Sequence, residues 1–323
     1  MALARNLGKD RNLSSSPVDW SRVETIRIAA NGINFEVATM GAGDRLALCL
    51  HGFPEHAYSW RYQMPLLARM GYRVWAPNLR GYGATDSPPQ VSAYKTRTLV
   101  EDVAALIRAG NPRETLLLAH DWGAALAWSL ALDQPQLIDR LVVLNLPHPA
   151  CFMRELRRPA QFARSWYMLF FQLPWLPEFL LSRRQGRATS EVIRRTSCNP
   201  ARFTADDLEF YRANAARPGG LRAMINWYRA LFRGGEIRRF FGENIPLIKT
   251  PTLFLWGDAD VALTLRTTRN TENYVSDLTF RVFPGVSHWI QQEAPEAVNG
   301  MLEAWLTGQP VPEYRELTAA LFR

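Results

Sequence analysis

The sequence predicts an α/β protein: one mostly parallel sheet of eight strands, with helices on its faces and a helical lid inserted late in the chain. Three observations carry that reading. Short apolar runs alternate with longer amphipathic ones over most of the length. From residue 147 to about 246 the alternation stops, and a helical, arginine-rich and aromatic-rich stretch intervenes before strands resume at Pro251. Finally, 323 residues, 47% hydrophobic and 21% charged, suffice to bury one large core plus such an insertion.

The first 20 residues hold Arg5, Lys9, Asp10, Arg11 and the run Ser14-Ser15-Ser16, with no apolar stretch of signal-peptide length. They read as a flexible leader on a cytoplasmic protein. Strands follow near 23–29 and 34–40, joined through Asn31-Gly32, the dipeptide of a tight antiparallel hairpin. Further strands fall near 46–50, 73–76, 115–119, 141–144, 252–256 and 279–283. Helices are expected near 59–70, 99–109, 122–134 and 295–306, the first three closed by Gly71, Gly110 and Pro135. The chain thus divides into a core, 21–146 with 247–323, and a lid spanning 147–246. The most apolar part of the lid, 165–182, contains Trp166, Phe170, Phe171, Trp175 and Phe179 but also Pro174, Pro177 and Glu178. A membrane span needs ~20 predominantly apolar residues. These are therefore read as lid helices, some members lining a substrate cavity, and no transmembrane segment is expected.

The formal charge is +8, and with lysine only at Lys9, Lys95 and Lys249, arginine supplies 35 of the 38 basic residues. A nucleic-acid reader carries a basic stripe within a binding motif. Here the arginines scatter, clustering only loosely between Arg154 and Arg239, so nucleic acid is not an expected partner. Cys49, Cys151 and Cys198 form no metal-like or disulfide-like pattern, which favours a reducing compartment. No pair of histidines has metal-ligand spacing with a carboxylate or thiolate partner, and Arg80-Gly81-Tyr82-Gly83 lacks the Lys-Ser/Thr ending of a phosphate loop. Neither metal nor cofactor is implied, and a homodimer is the one assembly left open.

The sharpest local signal is Thr115-Leu-Leu-Leu-Ala-His120-Asp121-Trp122-Gly123-Ala124-Ala125, an apolar strand running through a small-flanked turn into a helix. That is the context of a nucleophile elbow. The turn strains its central residue, so the positions two before and two after must be small, and they are Ala119 and Gly123. The central residue is Asp121 where an esterase would have serine. A carboxylate is already ionised at neutral pH and can attack an electrophilic carbon without a base, which leaves a histidine free to activate water afterwards. The bland alternative for Asp121 is a helix cap.

His51-Gly52-Phe53-Pro54-Glu55, Arg80-Gly81-Tyr82-Gly83-Ala84-Thr85-Asp86 and His120-Asp121-Trp122-Gly123 match, in order and spacing, the soluble-type epoxide hydrolases of the α/β-hydrolase superfamily, which this chain resembles from about Val23 to Leu306. The departure is Ala119, where the elbow often has glycine. The resemblance implies an oxyanion hole built from the Phe53 and Trp122 amides, with Pro54 as the family's cis-proline. It also implies an acid three residues after Gly257, which selects Asp260 over its neighbour Asp258. Some relatives place the acid after the preceding core strand, where this chain has Asn145, which cannot match a carboxylate's stabilisation of imidazolium. The histidine is His288, the only one after His148, and the order nucleophile, acid, histidine is the one this fold uses. His51 and His120 are expected to be structural, and His56 and His148 have no assigned function.

An aspartate nucleophile also serves haloalkane dehalogenases, so the lid must decide between them. Halide leaves as a stable anion, whereas an epoxide oxygen becomes a strongly basic alkoxide that calls for O–H donors such as tyrosine. Tyr167, in Trp166-Tyr167-Met-Leu-Phe-Phe171-Gln172, and Tyr228, in Asn226-Trp227-Tyr228-Arg229, resemble the two lid tyrosines of epoxide hydrolases, with Tyr211 competing for the second role. The expected reaction is opening of a small lipophilic epoxide to a vicinal diol through an alkyl ester on Asp121. The alternatives are a haloalkane dehalogenase, with Trp122 and Trp175 as halide donors, and a catalytically silent ligand receptor on the same fold.

Overall fold

The computed structural model describes residues 16–234 and 245–321. Eight strands form one sheet in the order β1-β2-β4-β3-β5-β6-β7-β8. They are β1 (Glu24–Ala30), β2 (Ile33–Met40), β3 (Arg45–Leu50), β4 (Arg73–Pro77), β5 (Glu114–His120), β6 (Arg140–Leu144), β7 (Thr252–Gly257) and β8 (Leu278–Phe283). Only β2 runs against its neighbours, β1 and β4; every other pairing is parallel. Each strand begins and ends within one residue of its expected bounds. Between β1 and β2, Asn31 (φ 46°) and Gly32 (φ 69°) both take the positive φ that a two-residue hairpin turn demands.

The central strands are buried along nearly their whole length, as parallel strands covered on both faces must be. Their two-residue period sorts alternate side chains to opposite layers. Leu46, Leu48, Leu117, Val143 and Phe254 join the cluster that includes the helices Thr96–Gly110 and Trp122–Asp133. Ala47, Cys49, Leu118, Val142 and Leu255 meet the helices Gln63–Arg69 and Pro295–Leu306 on the other face. Between β6 and β7 the described chain is helical: Pro149–Leu156, Pro159–Arg164, Trp166–Phe170, Leu176–Thr196, Ala205–Ala216 and Gly220–Arg233, with Leu176–Thr196 kinked at Arg183–Gly186.

Three expectations differ from the structure. The helix near 59–70 is split into a 3₁₀ turn, Ala57–Trp60, and the helix Gln63–Arg69. Pro65 has no N–H to give to the Arg61 carbonyl, which instead accepts from Val18 N–H at 2.9 Å. The helix expected to stop at Gly110 includes it, and the left-handed cap is Asn111 at φ 42°. Of the expected leader, residues 1–15 lie outside the described residues, but Trp20 packs edge-on against Tyr58 at 5.1 Å and is part of the folded body. Residues 235–244 of the expected lid are likewise outside the described residues.

Candidate active site

Five loops at the carboxyl ends of β3, β5, β6, β7 and β8 converge, the position where open parallel sheets present chemistry. β5 delivers Asp121 at φ 48° and ψ −122°, a backbone conformation that L side chains rarely adopt. Small neighbours make this turn fit. A Cβ on Gly123 would stand 2.4 Å from the Leu50 carbonyl oxygen, and one on Gly52 would stand 2.4 Å from Asp121 Cβ. Ala119, the departure from the usual glycine, is fully buried in the core cluster and its methyl group is accommodated there. The Phe53–Pro54 bond is cis. Phe53 N–H donates to Asp121 Oδ1 at 2.7 Å, while Trp122 opens the following helix, so its amide is one of the free first-turn donors.

His288 stands beside Asp121 with Nε2 3.6 Å from Oδ2, an ion-pair contact too long for a hydrogen bond. Its Nδ1 lies 2.6 Å from Asp260 Oδ2. Asp260 is buried with every lone pair directed: Oδ1 accepts from the amides of Ala262 (2.8 Å) and Leu263 (2.9 Å), and Oδ2 also accepts from Asn145 Nδ2 at 2.9 Å. Asp258 instead accepts from Gly285 N–H at an exposed turn, which separates the two acidic candidates.

Burial opposes charge on all three groups, yet their mutual attraction overcomes it. Asp121 is held below the ordinary carboxylate range by His288, His120 and the Phe53 amide. Asp260 is lowered by His288, the Asn145 amide and the Leu263 N–H. His288, facing both carboxylates, is raised well above an ordinary histidine. His288 therefore stands between two carboxylates, an arrangement that favours its imidazolium.

Behind it runs a buried polar network. Glu55 accepts from Gly52 N–H (2.8 Å), pairs with His120 Nδ1 (2.6 Å), and receives both Gln291 and Gln292 side chains at 2.9 Å. His120 Nε2 in turn meets the His288 carbonyl oxygen at 2.8 Å. Through Glu55 and His120 the Phe53 loop and the His288 loop are tied together, so both histidines of the early motifs have structural partners: His51 Nε2 accepts from Leu79 N–H at 3.1 Å. His56 caps the 3₁₀ turn Ala57–Trp60, and His148 caps the helix Pro149–Leu156.

Tyr167, on the helix Trp166–Phe170, and Tyr228, on Gly220–Arg233, meet edge to face at 5.8 Å. The Tyr228 ring also packs edge-on against Trp122 at 5.0 Å and Phe53 at 5.2 Å. Burial, reinforced by the nearby Asp121 charge, pushes both phenols up, so each keeps its proton. Gln172 donates to the Tyr228 carbonyl at 3.1 Å, and Arg229 to the Phe171 and Leu173 carbonyls at 3.0 and 2.7 Å, which joins the two tyrosine-bearing segments. A cavity of about 660 Å³ is lined by Phe53, Asp121, Trp122, Tyr167, Tyr228 and His288, so the expected residues share one space, with Asp260 behind the histidine.

Residues 48–295 match the family model of the alpha/beta hydrolase fold. The chain is 36% identical over 288 residues to epoxide hydrolase 4 of Homo sapiens, covering 87% of this chain and 78% of that protein. The chain belongs to the epoxide hydrolase family of the α/β-hydrolase fold. A Bacillus subtilis protein named as an AB hydrolase superfamily member is 35% identical, covering 87% of this chain and 97% of the relative. The crystal structure of a Bacillus megaterium epoxide hydrolase in complex with an inhibitor superposes with a TM-score of 0.81 at 29% identity, covering 87% of this chain and all of that one.

Within this epoxide hydrolase family chain, two competing candidates stand away from the cavity. Tyr211 is buried behind the site, donating to Gln292 Oε1. Trp175 is 70% exposed and lines no part of the cavity. Sequence reasoning passed over Glu55 and the supporting role of Asn145. Glu55 carried a signal, an acid three residues after Gly52 where its carboxylate can reach back to the glycine amide. Asn145 follows β6 at φ 41°, and its contact with Asp260 has no local signal.

Proposed function

We propose that this chain hydrolyses lipophilic epoxides to vicinal diols through a covalent ester on Asp121, with the helical insertion acting as a lid. The observation that carries the reading is the meeting, across one cavity, of the Asp121 carboxylate on the sheet with the Tyr167 and Tyr228 phenols from the insertion.

Asp121 Oδ2, left open by the Phe53 amide, bonds to an oxirane carbon as that carbon's bond to the ring oxygen breaks. The electron pair leaves on oxygen, which takes a proton from Tyr167 or Tyr228. The result is an ester bearing a neighbouring hydroxyl, and one tyrosinate. Esterification removes one of the two anions that hold the His288 imidazolium, so its pKa falls and the released proton restores the phenol. Neutral His288, oriented by Asp260, next takes a proton from water as that water attacks Cγ of the ester. Charge develops on Oδ1, already in contact with the Phe53 amide and beside the positive end of the Trp122–Asp133 helix. Collapse breaks the bond from Cγ to the substrate's oxygen, which takes the proton from His288 and leaves as the diol; the second proton of water, left on the Asp121 carboxyl, passes to His288 and restores the starting carboxylate and imidazolium.

Halide chemistry gains nothing from two phenols, and the second tryptophan it would use is at the surface. Turnover of styrene oxide beside a bromoalkane of similar size tests the reading. Diol without halide release is expected. Halide release without diol would indicate a dehalogenase, and thermal stabilisation without turnover a silent receptor.

A further inference from the structure

Part of the insertion's outer face is apolar. Along 161–173, Gln161, Ser165, Met168 and Phe171 are buried, while Phe162, Trp166, Leu169 and Leu173, at helical spacings of three and four, are 44–62% exposed. Trp175, Phe179 and Leu180 continue the exposed run. Seven of the twelve large apolar side chains exposed among the described residues thus fall within 162–180, a concentration that marks an interaction surface.

The charge around this run has one sign. Residues 157–195 contain eight arginines and two acidic residues, Glu178 and Glu191. Glu178 is occupied by Arg229, and Glu191 by Arg187, Arg194 and Arg195. Arg164, Arg183 and Arg184 have no acidic partner among the described residues, and the Arg183 guanidinium lies over the exposed Phe179 ring at 5.4 Å. Aromatic and aliphatic side chains interleaved with arginine suit the boundary of an anionic bilayer. The cavity reaches this region, because Arg164 and Trp166 line it and are themselves exposed.

We propose that this face docks on an anionic lipid bilayer, its apolar side chains at the headgroup boundary and its arginines against the phosphates, so that lipophilic substrates enter the cavity from the membrane. No helix among the described residues is long and apolar enough to cross a bilayer, so the contact is at the surface. A second copy is the lesser fit, because a two-fold contact would set this arginine-rich face against itself.

Flotation with vesicles of phosphatidylcholine alone, and of phosphatidylcholine with phosphatidylglycerol, tests this without any turnover, so its outcome is separate from that of the proposed reaction. The wild type should float with the anionic vesicles and far less with the neutral ones. Leu169→Ser, Trp175→Ser and Phe179→Ser together should lower partitioning by about tenfold or more, and Arg183→Gln with Arg184→Gln by about fivefold per arginine. Both variants should keep the wild-type rate on a water-soluble epoxide. Absence of wild-type flotation at low salt, or undiminished flotation of both variants, would overturn the proposal. So would a dimer, seen by sedimentation velocity without lipid, that the triple variant dissolves.

Discussion

Asp121, His288 and Asp260 sit on loops at the ends of parallel strands, whereas Tyr167 and Tyr228 sit on helices of the insertion, and the two groups are held by different contacts. On the sheet side, strand register fixes the loops and buried hydrogen bonds direct nearly every polar atom, from Glu55 through His120 to the His288 carbonyl. On the helical side, the tyrosines are positioned by ring packing and by Arg229 and Gln172, which reach carbonyls across the insertion. The first rests on hydrogen bonds between loops far apart in the chain, the second on contacts within the insertion. Under the proposed reaction, the sheet half forms and cleaves the bond and the helical half meets the substrate's oxygen.

The largest expected effect lies on the sheet side. Asp121→Ala should leave the fold intact by circular dichroism and lower kcat by about 10⁴-fold or more, the scale on which nucleophile deletions act. Next are the phenols: Tyr167→Phe combined with Tyr228→Phe keeps both rings, and the rate of ester formation in single turnover should fall by about 10²–10⁴-fold. A double variant opening epoxides at the wild-type rate would remove the helical half from the chemistry.

The same contrast explains what could be read from the sequence. The strands, the elbow and the His288 loop announce themselves locally, because period, small flanking residues and turn chemistry are written within a few positions of the residue they place. Asn145 does not, since its value lies in reaching Asp260 across 115 positions. Trp20 reads as part of a leader because its partners, Tyr58 and Phe210, are distant in the chain. The break at Pro65 is of the local kind, since a proline inside a helix removes a donor whatever its distant neighbours. In the insertion, the tyrosines are legible only through motif resemblance, which favours Tyr228 over Tyr211; in the structure Tyr228 lines the cavity and Tyr211 lies behind it.

A smaller effect tests how the helical half is braced. Arg229 is 8% exposed and its partner Glu178 20%, so removing one charge leaves the other partly buried. Arg229→Met should destabilise the protein by about 2–3 kcal/mol in urea unfolding, somewhat less than for a fully buried pair. An unchanged midpoint would mean that ring packing alone holds the tyrosines.

The subtlest prediction concerns His288. Asp121→Asn removes one of the two negative charges that favour its imidazolium, so the histidine pKa must fall, and NMR titration of the ring should show it below the wild-type value. An equal or higher pKa in the variant would mean that esterification cannot release the proton needed for the second step.

The central claim is that Asp121 and not water makes the first bond to the substrate. A single turnover in ¹⁸O-water, with enzyme in excess over a simple epoxide, tests it on the unaltered protein. The ester account predicts an unlabelled diol and ¹⁸O recovered in the peptide containing Asp121; label appearing in the diol, with none in that peptide, would contradict it.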